Sequence, residues 1–97
     1  MGQLLELLES RYAMRVLWAL RDGHAQTFRL LQDSVGGMTP NTLNTRLKAM
    51  RQAGLITHGP EGYLLTAAGQ ELALHIDAMQ GFAMRWAAAA AKRTGRA

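Results

Sequence analysis

Residues 39–56 read TPNTLNTRLKAMRQAGLI, and both ends of an α-helix are marked within them. Thr39 is a favourable N-cap, because its hydroxyl can accept a hydrogen bond from a free amide of the first turn. Pro40 suits the first helical position, where its missing N–H has no consequence, and Gly54 suits the left-handed residue just past a helix end. One narrow apolar stripe recurs at helical spacing and consists of Leu43, Leu47 and Met50. The stretch therefore predicts a helix over about residues 40–53.

The opposite face of this helix is polar and lacks carboxylates. Its side chains carry amides, hydroxyls and positive charge, and they are Asn41, Thr42, Asn44, Thr45, Lys48, Arg51 and Gln52. No Asp or Glu occurs between Val35 and Pro60. Phosphates repel carboxylates, and Asn, Gln, Arg and Lys can hydrogen-bond to base edges in the major groove. A helix that reads double-stranded DNA explains this pattern better than an ordinary solvated helix, which usually mixes both signs of charge.

The flanking segments complete a winged helix-turn-helix pattern. Upstream, a short helix is predicted over residues 28–35, and a glycine-containing turn at 36–38 joins it to the polar helix. Downstream, the pattern becomes extended in two strand-like runs, 55–58 and 63–66. The Gly-Pro-Glu-Gly segment between them, residues 59–62, suits a tight turn. A hairpin directly after a recognition-type helix predicts a wing.

Apolar helices are predicted at both ends of the chain. A leucine-rich helix over residues 3–9, which packs either on its own domain or on a second subunit, precedes a helix over 11–22. The last helix, about 67–93, would extend roughly 40 Å, which exceeds what a domain of this size can cover. Its apolar seam repeats at spacings of four and three residues, and an identical helix in a two-fold dimer is the simplest partner. We therefore predict a homodimer, rather than an unpartnered soluble helix end, with an interface formed by Leu4, Leu5, Leu8, Leu72, Ile76, Met79, Ala83 and Trp86.

Composition excludes several classes of protein. A chain of 97 residues, 48% of them hydrophobic, suits one globular domain. No cysteine is present, so disulfides, thiolate metal sites and thiol redox switches are excluded. His24, His58 and His75 lack the spacing of metal ligands, and no pattern typical of a catalytic nucleophile, a phosphate-binding loop or paired catalytic carboxylates occurs. We expect neither enzyme activity nor a metal or cofactor.

The sequence also bears on location and on small ligands. Residues 1–6 lack the basic start and long apolar run of a signal peptide, and no apolar stretch approaches membrane-spanning length. We therefore expect a soluble, cytoplasmic protein without a membrane partner. The six methionines either fill the core flexibly or line a cavity for a small-molecule effector at the dimer interface.

Several motifs resemble those of the HxlR-type winged helix-turn-helix transcriptional regulators, with MarR-like and ArsR-like regulators as the alternatives. The motifs are GMTPNTLNTRLKAM at 37–50, AGLI at 53–56, YLLT at 63–66 and the pair Trp86-Ala87, and the likeness covers roughly residues 10–87. The resemblance implies a homodimeric bacterial DNA-binding regulator. Its second DNA-proximal helix would lie in the major groove, and the first and last helices would hold the dimer.

Two departures from the family pattern matter. The wing turn has four residues, and its only charge is Glu61, whereas such regulators usually carry a longer and often basic wing. We therefore expect His58 at the base of the wing, rather than the tip, to lie near a phosphate. Several family members sense oxidants or electrophiles through a cysteine, and that mechanism is excluded because this chain has none.

The sequence thus predicts a mainly α-helical winged helix-turn-helix fold in a single domain, residues 1–97. Within it, 1–10 form the N-terminal helix, 11–66 the core and wing, and 67–97 the long helix for dimerisation. We expect base contacts from Asn41, Thr45 and Lys48, with Thr42 and Asn44 beside them, and phosphate contacts from Thr39, Arg46, Arg51 and His58. The expected partners are double-stranded DNA and a second copy of the chain. The alternative is a dimeric winged-helix module that binds protein and not DNA.

Overall fold

The chain folds into five helices and a two-stranded antiparallel hairpin in a computed structural model that describes residues 1–95. In chain order the elements are α1 (Gly2–Glu9), α2 (Ala13–Ala19), α3 (Phe28–Val35), α4 (Pro40–Gln52), β1 (Ile56–Gly59), β2 (Gly62–Leu65) and α5 (Ala67–Gly95). The predicted mainly α-helical architecture with a short hairpin is confirmed. No helix in this part of the chain is both long and apolar enough to cross a membrane.

The signals at the two ends of α4 act as the sequence predicts. The Thr39 hydroxyl accepts a hydrogen bond from the Thr42 amide at 3.2 Å, and Pro40 occupies the first turn. Ala53 is the C-cap, and Gly54 follows it in the left-handed conformation, with φ of 77°. Thr27 caps α3 in the same way, since its hydroxyl accepts from the Leu30 amide at 3.2 Å.

The core is formed by α2, α3, α4, the hairpin and the first half of α5, and Leu7 and Leu8 of α1 pack against its edge. The stripe of α4 faces it, since Leu43, Leu47 and Met50 are at most 1% exposed. The other large buried side chains come from α2, α3, the hairpin and the start of α5, and they include Val16, Leu17, Leu20, Leu31, Val35, Ile56, Tyr63, Leu65 and Ile76. Burial of one stripe therefore leaves the polar face of α4 in solvent.

The hairpin is fixed to both neighbouring helices. Its register pairs Ile56 with Leu65 and Gly59 with Gly62, which leaves a two-residue tip. The Thr66 hydroxyl donates to the Gly54 carbonyl at 2.6 Å and accepts from the Gly69 amide at 3.1 Å. One threonine thus links the end of α4, the end of the hairpin and the start of α5.

α2 is shorter than predicted. It covers Ala13–Ala19 rather than residues 11–22. At its start Tyr12 adopts a left-handed conformation, with φ of 72°, and this conformation cannot continue a right-handed helix. At its end the chain turns, and the Asp22 carboxylate accepts from the His24 amide at 3.1 Å. The prediction of both boundaries was wrong because neither break has a strong helix-breaking residue before Gly23.

α5 extends well beyond the core. Its 29 residues correspond to about 43 Å of helix, and the longest dimension of the molecule is 51 Å. Beyond Ile76 the large apolar side chains lie in solvent, with Met79, Phe82, Met84 and Trp86 between 51% and 67% exposed. We call the apolar set on one side of this segment the apolar overhang; it consists of Met79, Phe82, Ala83 and Trp86.

The residues predicted for the dimer interface fall into two groups. Ile76 is 9% exposed within the chain's own core, and Leu72 and Leu8 pack against that core. Leu5, Met79, Ala83 and Trp86 are exposed, and Leu4 is half-buried. Helical spacing alone does not distinguish a residue that meets its own core from one that meets a second copy, so the seam includes both kinds.

Candidate nucleic-acid interface

The polar face of α4 is presented to solvent as a continuous surface. We call Asn41, Asn44, Thr45 and Lys48 the recognition face, and all four are exposed. The Thr45 hydroxyl donates to the Asn41 carbonyl at 2.9 Å, so its oxygen points lone pairs outward and can only accept from a ligand. The recognition face therefore offers amide groups that both donate and accept, one acceptor hydroxyl and one ammonium.

Thr39 and Thr42, also predicted to contact DNA, are held at the start of α4. Their hydroxyl oxygens lie 3.0 Å apart, and Thr39 accepts from the Thr42 amide. Thr42 is half-buried, whereas Thr39 is exposed. The two hydroxyls thus cap the helix first, and only the Thr39 side of the pair faces solvent broadly.

A basic cleft continues the recognition face toward the hairpin. It lies between the C-terminal half of α4 and β1, has a volume of about 500 Å³, and is lined by Lys48, Arg51, Gln52, Ile56 and Thr57. Its four polar side chains are exposed. One ammonium, one guanidinium, one amide and one hydroxyl line the cleft, and no carboxylate does, which is the chemistry that a phosphate needs.

Gln52 and Thr57 were not predicted as site residues. Gln52 could have been included, because it lies on the same polar face of α4 as Lys48. Thr57 follows buried Ile56 in β1, and strand alternation places it on the outer face. Its position beside α4 depends on the angle between helix and hairpin, which sequence spacing does not give.

His58 lies on the other face of the hairpin from Thr57. Its ring stacks on Tyr63, the residue directly opposite on β2, with centroids 4.0 Å apart and an interplanar angle of 3°. Tyr63 is 8% exposed, so the imidazole covers the outer side of a buried ring while remaining exposed itself. The tip beyond it carries the exposed carboxylate of Glu61.

Arg46 differs in environment from the other basic residues of α4, Lys48 and Arg51, which are exposed. It is half-buried, and its Nε donates to the Arg11 carbonyl at 2.7 Å, across 35 residues of sequence. Its stem runs beside the buried stripe, as its angular position on the helix predicts.

Among the residues described, no three His, Asp or Glu side chains come together as a metal ion would require.

A comparison with known protein families shows which family the chain belongs to. Residues 7–91 match the model of the HxlR-like helix-turn-helix family. The chain belongs to this family. The resemblance read from the motifs is therefore confirmed, and the family consists of transcription regulators, typically DNA-binding, rather than enzymes.

Two solved structures are similar to this HxlR-like chain. Quinone-bound YodB from B. subtilis is 25% identical, with a TM-score of 0.78 over 88% of this chain and 96% of that one. A possible HxlR family transcriptional factor from Thermoplasma volcanium GSS1 is 22% identical, with a TM-score of 0.73 over 88% of this chain and 79% of that one, and shows the shared fold. No curated protein sequence matches the chain. In this winged-helix fold, α3 and α4 are the two helices of the helix-turn-helix, and the β1–β2 hairpin is the wing.

Proposed function

We propose that this HxlR-like protein is a sequence-specific, double-stranded DNA-binding transcriptional regulator that acts as a homodimer. The observation that carries the proposal is the exposed, carboxylate-free surface formed by the recognition face and the basic cleft. A helix-turn-helix protein inserts its second helix into the major groove with the N-terminal part toward the bases. The same orientation of α4 would bring Asn41 and Asn44 to the bases first and the cleft to the backbone.

The chemistry of each group suggests its role. Asn41 and Asn44 can form paired hydrogen bonds with adenine, Lys48 can donate to guanine, and Thr45 can accept from an exocyclic amino group. Arg51, with Gln52 and Thr57 beside it, would bind a phosphate in the basic cleft. Thr39 and His58 are proposed to approach phosphates at the two ends of the interface, and Thr42 to hold Thr39 in place.

The apolar overhang supports the homodimer. Leaving Met79, Phe82 and Trp86 in water is unfavourable, since full burial of such side chains contributes about 1.5–3 kcal/mol each. A second copy of α5, packed antiparallel about a two-fold axis near residues 82 and 83, would place Met79 of each chain opposite Trp86 of the other. Exposed Leu5 and half-buried Leu4 of α1 would extend this contact. A regulator of this kind would act in the bacterial cytoplasm, where its DNA lies.

Met79→Lys is expected to weaken the dimer at least tenfold, because it places a charge in the proposed contact. Leu74→Lys is the matched control: Leu74 is 69% exposed, and it lies about 140° around the same helix at 100° per residue. Sedimentation velocity across a dilution series measures the dimer dissociation constant of each variant. Equal dissociation of the two variants, or a parent protein that is monomeric at all concentrations, would contradict the proposed interface.

Glu61→Gln is expected to raise duplex affinity about threefold at low salt, because one exposed charge contributes up to about 1 kcal/mol. The carboxylate at the wing tip repels phosphates, and salt should reduce the gain through screening. Glu71→Gln, which removes an exposed carboxylate from the start of α5, is the control and should leave affinity unchanged. An unaltered affinity for both variants would mean that the wing tip stays away from DNA.

The proposal as a whole is tested by fluorescence anisotropy. Purified protein is titrated against duplexes from upstream of its own gene and against a scrambled duplex, at two salt concentrations. A regulator should prefer one upstream duplex and lose affinity steeply with salt. Absence of binding at low salt would favour the alternative, a dimeric winged-helix module that binds protein, which is supported by the acidic wing tip and the small net charge of +4.

A further inference from the structure

The link between α1 and α2 contacts α4 and the turn that precedes it. The Arg11 carbonyl in this link accepts from Arg46 of α4 at 2.7 Å. The Tyr12 hydroxyl donates to the Gly37 carbonyl, in the turn before α4, over a longer 3.4 Å. Within residues 1–95, Tyr12 is the one non-glycine residue with positive φ, and the Arg11 guanidinium lies 4.8 Å from its ring centre. Such backbone conformations persist when surrounding contacts hold them in place.

α4 is held to the core by one narrow stripe of three side chains, Leu43, Leu47 and Met50, and the rotation of α4 about its own axis sets which of its polar residues face outward. The Arg46–Arg11 hydrogen bond lies beside the stripe and is charge-assisted, which makes it stronger and more directional than a neutral one. It therefore restrains the rotation that decides which bases the recognition face would meet.

We propose that Arg46 is a positioning residue for DNA recognition, and that it acts through the Arg11 carbonyl rather than by binding a phosphate. Tyr12 restrains the turn before α4 from the same link. α1 ends at Glu9, directly before this link. The orientation of α4 is therefore coupled to the way in which α1 packs against the rest of the domain. The predicted effect on DNA affinity rests on the proposed DNA-binding function. The predicted restraint on α4 concerns the free protein and can be tested without DNA.

Two substitutions separate positioning from phosphate binding. Arg46→Lys keeps the charge, and Arg46→Met keeps only the stem; both remove the Nε donor. Positioning predicts that both variants reduce the preference for the upstream duplex over the scrambled duplex about tenfold. Arg46→Lys should keep the parent's salt dependence. Amide hydrogen exchange of residues 37–46, measured without DNA, should accelerate in both variants while exchange in residues 67–76 stays unchanged.

Arg51→Met is the matched control, since it removes an exposed arginine of the same helix. It should weaken binding to both duplexes alike, lower the salt slope by about 0.9 and leave exchange in residues 37–46 unchanged. Tyr12→Phe removes one hydroxyl and should accelerate exchange around the turn with a smaller loss of preference. If the Arg46 variants have a much lower Tm than the parent, Tyr12→Phe, as the more conservative change, provides the test instead.

The outcomes distinguish the inference from the function on which it rests. Suppose that Arg46→Lys binds DNA as tightly as the parent, that Arg46→Met lowers the salt slope by about 0.9, and that amide exchange in residues 37–46 is unchanged in both variants. Arg46 is then a phosphate contact, and the inference is wrong. If the parent binds no duplex, the DNA-binding proposal fails, and exchange alone decides about Arg46. Unchanged exchange in the Arg46 variants and in Tyr12→Phe would then overturn positioning as well.

Discussion

Replacing Lys48 and Arg51 together by glutamate is expected to abolish specific duplex binding and leave the fold intact. Both side chains are exposed and line the basic cleft, so their replacement removes no core contact. Two favourable charges become two unfavourable ones beside phosphates, and like-charge contacts cost several kcal/mol. At 1.4 kcal/mol per factor of ten, we expect affinity to fall by about three orders of magnitude.

Anisotropy measures the loss, and circular dichroism and sedimentation verify that the variant is folded and associated like the parent. The matched control is Arg85→Glu with Lys92→Glu, which changes net charge equally on exposed positions of α5 away from the apolar overhang. This control should lose only the small share of affinity that net charge contributes. If the control loses as much affinity as the cleft variant, the basic cleft has no special role.

Gly69→Ala is expected to destabilise the fold by about 3 kcal/mol or more, as overpacking against backbone does. A Cβ at this position would overlap the Leu55 carbonyl oxygen and lie 3.2 Å from the Cβ of Leu65. That carbonyl accepts from the Thr66 amide at 2.9 Å, so its displacement would also break a hydrogen bond at the base of the wing. Helix propensity alone predicts the opposite sign, since alanine favours a helix by about 1 kcal/mol over glycine.

Thermal unfolding at fixed protein concentration tests this prediction, and we expect a fall in Tm of about 15 °C. Gly81→Ala in the same helix is the control. Its Cβ would meet only the Nη1 atom of Arg85 at 3.3 Å, the flexible end of a long side chain. That variant should be as stable as the parent or slightly more stable. A Gly69→Ala protein that melts with the control would show that α5 does not pack this closely on the loop after α4.

Local chemistry explains which parts of the fold could be predicted from the sequence. The boundaries of α4 depend on Thr39, Pro40 and Gly54, whose effects act within one turn of the chain, and these boundaries were correct. The left-handed conformation of Tyr12 is accompanied instead by a contact with Gly37, 25 residues away in the sequence, and the start of α2 was therefore misplaced. Periodicity located the apolar seam of α5 but could not divide it between the chain's own core and its exposed half.

The candidate site divides in the same way. Helical geometry alone places Asn41, Asn44, Thr45 and Lys48 on one exposed face, and the structure shows them there. The partner of Arg46 lies 35 residues away in the sequence, so spacing along α4 could indicate only that its stem runs near the stripe. Thr57 becomes a neighbour of Lys48 through the packing of the hairpin, which is a tertiary property.

The hydrogen bonds of Thr66 have a consequence for the length of the operator. This residue joins the end of α4 to the start of α5, so its hydrogen bonds help to fix the position of one helix relative to the other. In the proposed dimer, the separation of the two α4 helices is therefore set by the register in which the α5 helices pair. A shift of one heptad in that register moves one chain along the other by about 10 Å, which corresponds to about three base pairs of B-DNA. The distance between operator half-sites is then encoded in the apolar overhang, in residues that touch no DNA.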